Sequence, residues 1–108
     1  MGRTTMEVPI RTKNIDEILH IIASIVESNG YKQKIVDDET IWAKGDGVVM
    51  PMCCIGIIFS EGTVLVQGWI RGAIIGEEAL NGAYAMLPKK KVKGMLEKIR
   101  KEILSRGI

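Results

Sequence analysis

The chain has 108 residues, 46% of them hydrophobic, and a formal net charge of +2. That length suits one domain, the apolar content excludes a disordered chain, and no apolar run approaches the roughly 20 residues a membrane-spanning helix needs. The charge is uneven: residues 88–108 carry six Lys and two Arg against two Glu, while residues 1–87 carry seven basic and eleven acidic groups. The opening Met-Gly-Arg-Thr-Thr-Met-Glu-Val-Pro is polar and then strand-like, unlike a signal peptide, so a soluble cytoplasmic protein is expected with no membrane insertion.

Residues 4–12 alternate, with Met6, Val8 and Ile10 set against Thr5, Glu7 and Arg11, which predicts a strand with one apolar face. Pro9 has no N–H to give a ladder, so this strand belongs at a sheet edge or is interrupted there. Asn14 then opens a helix as its N-cap, with Glu17 at the capping-box position and Asp16 favouring the helix dipole. Ile15, Ile18, Leu19, Ile22, Ile25 and Val26 form its apolar stripe, and Asn29-Gly30 ends it. His20, the single histidine, falls on the polar side and has no acid–base partner fixed by spacing.

Residues 31–36 and 40–44 read as a hairpin around Asp37-Asp38-Glu39, with Ile41 and Ala43 on one face and Trp42 on the other. Lys44-Gly45-Asp46 lacks the spacing of a phosphate-binding loop. Residues 53–72 form the central hairpin, turning at Glu61-Gly62 with Ser60 facing Thr63. One face then carries Cys53, Ile55, Ile57, Phe59, Val64, Val66 and Ile70, the core side. The other carries Ile58, Leu65 and Trp69, which have no reason to face water and predict a cover, either another part of this chain or a second copy of it. Cys53 and Cys54 are adjacent and so point to opposite faces, poorly placed to share a metal and without another Cys to complete a thiolate site, which suits two small apolar side chains in a reducing compartment.

Residues 73–87 show neither alternation nor helical spacing, and a loop that long in a compact domain is often functional. Glu77 and Glu78 read there as a solvated acidic turn, and Ser60 and Thr63 have no partners for a hydrolase triad. Pro88 opens the last helix at its first position, with Val92, Met95, Leu96, Ile99 and Ile103 inward and Gly107 at its end. Lys89, Lys90, Lys91 and Lys93 crowd its first turns, where ammonium groups and free amides together suit phosphate or nucleic acid. With no aromatic run or nucleic-acid motif beside them, a solvated helix face is the favoured reading.

The block Gly76-Glu77-Glu78-Ala79-Leu80-Asn81-Gly82-Ala83-Tyr84-Ala85-Met86-Leu87-Pro88-Lys89-Lys90-Lys91, together with Trp69-Ile70, Val8-Pro9 and Trp42-Ala43-Lys44-Gly45-Asp46-Gly47, resembles the pattern of a small uncharacterised bacterial domain. That domain occurs alone or beside zinc ribbons or membrane segments. The resemblance implies an α+β fold and brings no activity, cofactor or catalytic residue.

The expected architecture is a two-layer α+β sandwich, an antiparallel sheet of about five strands with two helices on one face, in the order β-α-β-β-β-β-α. The leading functional expectation is a non-enzymatic interaction module, a homodimer through the outer sheet face at Ile58, Leu65, Trp69 and Trp42. The alternatives are a small-molecule or lipid-binding domain with residues 72–86 covering an apolar pocket, or anion or nucleic-acid binding by the last helix. No metal or cofactor is expected, and an enzyme comes last.

Overall fold

The computed structural model describes residues 2–48, 50–73, 76–81 and 86–108. Among them the elements run β1 (Thr4–Pro9), α1 (Ile15–Ser28), β2 (Lys32–Val36), β3 (Glu39–Lys44), β4 (Met52–Ser60), β5 (Thr63–Gly72), β6 (Gly76–Glu78) and α2 (Met86–Arg106). The sheet order is β1-β5-β4-β3-β2, every pairing antiparallel, with the short β6 also on β5. This is an α+β fold, and both helices pack on one face of the sheet.

The central hairpin turns at Glu61-Gly62 with Ser60 opposite Thr63, and Gly62 supplies the positive φ of +72° that the turn requires. That register sends Ile55, Val64, Val66 and Ile70 into the core, all fully buried. β1 lies at the edge, as Pro9 demands, and brings Val8 into the same core. In α1, the Asn14 side chain accepts a hydrogen bond from the Glu17 amide at 3.3 Å, and Gly30 closes the helix at φ +91°. The buried stripe of α1 is Ile18, Ile21, Ile22 and Val26, so it is rotated from the expected one: Ile21 turns in and Ile15 stays exposed.

α2 starts two residues before the expected Pro88, a difference within ordinary fraying of helix ends. Val92, Met95, Leu96, Ile99 and Ile103 are all buried against the sheet and α1. Close packing of α2 depends on Gly68: a Cβ there would stand 2.8 Å from Val92 Cγ1 and 3.1 Å from Leu96 Cδ1.

Three expectations need correction. Trp42 registers with Ile55 and therefore lies on the helix face, where its indole N–H donates to Glu27 Oε2 at 3.2 Å. Ile41 and Ala43 are the residues of β3 that face outward. The turn of the first hairpin is Asp37-Asp38 alone, both at positive φ (51° and 65°), so Glu39 belongs to β3. Residues 76–78 are a strand; Ile74, Ile75 and residues 82–85 of the segment expected to cover a pocket lie outside the described residues.

Candidate functional site

On the outer sheet face, Trp69 is 1% exposed, and its cover comes from this chain. β3 pairs with β4 only at Trp42, Ala43 and Lys44. Had it kept that register, Asp37 would lie opposite Ser60; its carboxylate instead accepts from Arg71 at 3.0 Å, near the other end of the sheet. The tip of the β2–β3 hairpin therefore leans across the outer face, and Val36, Ile41, Ala43, Cys54 and Met52 pack with Trp69.

Arg3 completes the cover, its guanidinium carbon 3.6 Å from the centroid of the Trp69 ring. It donates to both oxygens of Glu77 at 2.9 and 2.7 Å, to both oxygens of Glu39 at 2.8 and 2.7 Å, and to Gln67 Oε1 at 3.2 Å. Beneath the ring, a Cβ on Gly56 would come within 3.1 Å of Trp69 Cη2, so the indole lies directly on backbone. Hydrogen bonds from Arg3 hold the Glu39 carboxyl below its ordinary range, and the same bonds raise Arg3 further into its charged form. A guanidinium bonded on all three nitrogens has no donor left for a substrate, so this cluster is a clamp. The buried Trp69 indole N–H has no hydrogen-bond partner among the described residues, which costs about 1–3 kcal/mol.

Of the expected interface residues, only Ile58 and Leu65 remain open on the outer face, the first exposed and the second partly buried. Of the two covers expected for Trp69, another part of this chain or a second copy, the chain's own hairpin and Arg3 supply one, so Trp69 is not open on that face. Glu77 and Glu78 do not act as a pair: Glu77 holds Arg3, whereas Glu78 lies 3.5 Å from Lys89. Both cysteines are buried and unpaired, and burial pushes the Cys54 thiol up to about 12, so it is protonated at neutral pH. His20 is exposed on α1. Among the described residues no His, Cys, Asp and Glu side chains gather in a group able to hold a metal.

The four lysines expected at the start of α2 take different places. Lys89 is 2% exposed, and its ammonium donates to the Asn81 carbonyl at 2.8 Å, so it ties residues 78–81 to the helix and has no reach into solvent. Lys90 and Lys93 are exposed and line a groove with Met86 and Leu87. Lys91 faces a cleft with Lys44 and Lys98.

Around this start of α2 the surface is unusual in a second way. Pro88 O lies 3.9 Å from Cys53 Sγ, so the first turn of α2 sits at the end of the sheet where β3 ends and β4 begins. Residues 45–51 connect those two strands, and Asp46 Oδ1 accepts the Val48 amide at 2.8 Å to shape the connection. At this one end Val48 is 78% exposed, Met50 56%, Met86 67% and Leu87 74%. The signal was present in the sequence as apolar residues in two segments with no strand or helix stripe to absorb them; what was missing was that the two segments share an end.

No family model matches the chain. No curated protein and no solved structure matches it either, so the likeness drawn from residues 76–91 stays a likeness and function is read from geometry alone.

Proposed function

We propose that this chain is a non-enzymatic interaction module that docks onto an anionic lipid surface by the end of its sheet carrying Val48, Met50, Met86 and Leu87. The observation that carries the reading is that four large apolar side chains, each more than half exposed, stand at one end beside Lys90, Lys91 and Lys93. Apolar side chains that protrude singly from a loop and a helix start suit a soft interface they can enter, whereas a protein partner would have to present a pocket for each. The surrounding lysines select negative charge, each worth about 1 kcal/mol next to an anionic leaflet. Docking here is peripheral: no helix among the described residues is long and apolar enough to cross a membrane.

A binding role also suits the polar groups. Arg3, Glu39 and Glu77 saturate one another, Lys89 is committed to Asn81 and Glu78, and His20 stands apart on α1. Two buried unpaired thiols suit a reducing compartment and so support a reading in which the module meets the cytoplasmic leaflet, the anionic one.

Co-sedimentation with vesicles tests this. The protein should pellet with vesicles of phosphatidylglycerol in phosphatidylcholine and stay in the supernatant with phosphatidylcholine alone. Val48→Ser with Leu87→Ser, both on exposed side chains, should weaken binding about tenfold while leaving the melting temperature unchanged. Equal binding to neutral vesicles, or undiminished binding by the double variant, would contradict the reading.

A further inference from the structure

At the same end of the sheet, a cleft of about 210 Å³ opens between the end of α1, the start of β2 and the middle of α2. Lys44, Lys91 and Lys98 line it with Asn29, Tyr31 and Gly94, and none of its described lining residues is acidic. The lysines come from β3 and from α2 one and three turns in, so only the folded chain brings them together. Two of them have a structural task as well. α1 has no basic residue in its last turn, and Lys44 donates to the Asn29 carbonyl at 3.0 Å while Lys98 reaches Asn29 Oδ1 at 3.5 Å, satisfying the end of that helix.

That task leaves Lys91 and Gly94 unexplained. Lys91 is exposed and has no carboxylate partner among the described residues. Gly94 lies inside a 21-residue helix, where glycine costs about 1 kcal/mol relative to alanine. Neither packing nor backbone conformation asks for it, because a Cβ built there meets no atom within 4 Å and its φ is not positive. What glycine does at that position is leave the helix backbone bare on the wall of the cleft, so that a ligand can approach it closely.

We propose that this cleft binds a phosphate group, held by the ammonium groups of Lys91, Lys98 and Lys44 with the Gly94 backbone as its wall. A volume below the roughly 300 Å³ at which pockets for drug-sized ligands begin fits a phosphate with a short substituent. Lysines recognise phosphate as point charges, and three of them without an acid leave the site a net attraction for a dianion. The group can come from a soluble phosphate ester or from a lipid headgroup. The proposal stands without the docking reading, since a soluble ester needs no membrane.

Titration with sn-glycerol 3-phosphate at constant ionic strength, followed by calorimetry or amide shifts, is the test. Saturable binding is expected at one site. Lys91→Gln should weaken it about tenfold or more. Gly94→Ala should weaken it while raising the melting temperature, a combination that loss of folding cannot produce. Lys13→Gln with Arg100→Gln, both exposed and outside the cleft, should leave it unchanged. Binding that Gly94→Ala and Lys91→Gln leave intact, binding lost equally in the Lys13 and Arg100 variant, or no saturable binding at all would overturn the proposal. Addition of the ester to vesicle-bound protein then separates the sources: release supports a headgroup in the cleft, and retention with the ester still bound supports a soluble ligand.

Discussion

Arg3 is the residue on which the outer face depends, and nothing in its neighbourhood in the sequence announces it. It meets Glu39 and Glu77, which lie 36 and 74 residues away, and it covers a tryptophan that alternation alone assigns to solvent. Alternation correctly placed Trp69 on that face; it could not supply a partner so distant along the chain. Arg3→Ala should destabilise the fold by about 1–3 kcal/mol, because two carboxylates lose their shared donor, and should shift Trp69 fluorescence to the red as water reaches the indole. The clamp also sets a pH dependence. Glu39 is held below its ordinary value by Arg3, so its share of the stability is fully present above the unfolded carboxyl value of about 4.3 and is lost as pH falls through the lowered folded value. Thermal melts of the protein and of Glu39→Gln should converge in that acid window and diverge near neutrality; parallel curves throughout would remove Glu39 from the clamp.

At the scale of elements, periodicity and punctuation were reliable where each element follows from its own residues. Asn14 and Gly30 bound α1, Glu61-Gly62 turns the central hairpin, and Pro9 marks an edge strand, each for a local steric or hydrogen-bonding reason. Misplacements came where geometry is set by neighbours. Trp42 was assigned outward because its own hairpin gives no reference for inside and outside; only the register with Ile55 supplies one. β6 is too short to show alternation and exists because β5 extends past β1, leaving Ile70 to Gly72 free to pair. The contact between layers gives the sharpest test at this scale. Gly68→Ala pushes a methyl into Val92 and Leu96 across a rigid strand, and should cost about 1–3 kcal/mol in urea denaturation with an unchanged slope. An alanine accepted without loss there would mean that α2 does not rest on β5.

Over the whole molecule, helices cover one side of the sheet and the chain's own hairpin with Arg3 covers part of the other, and Val48, Met50, Met86 and Leu87 stand exposed where β3 passes into β4 and α2 begins, whereas Ile15, Ile35, Ile58 and Leu104 are exposed elsewhere. The basic last segment was visible from charge counts, but its lysines divide by depth: Lys89 is structural, Lys91 faces the cleft, and Lys90 and Lys93 flank Met86 and Leu87. Charge patterning could not separate them, since their faces depend on where α2 lies on the sheet. The most direct measurement is an amide chemical-shift map of the labelled protein titrated with phosphatidylglycerol-containing nanodiscs. Perturbations confined to residues 45–52 and 86–98 are predicted, with Ile58 and Leu65 silent. A map centred on Ile58 and Leu65, or no response at all, would contradict docking by this end of the sheet.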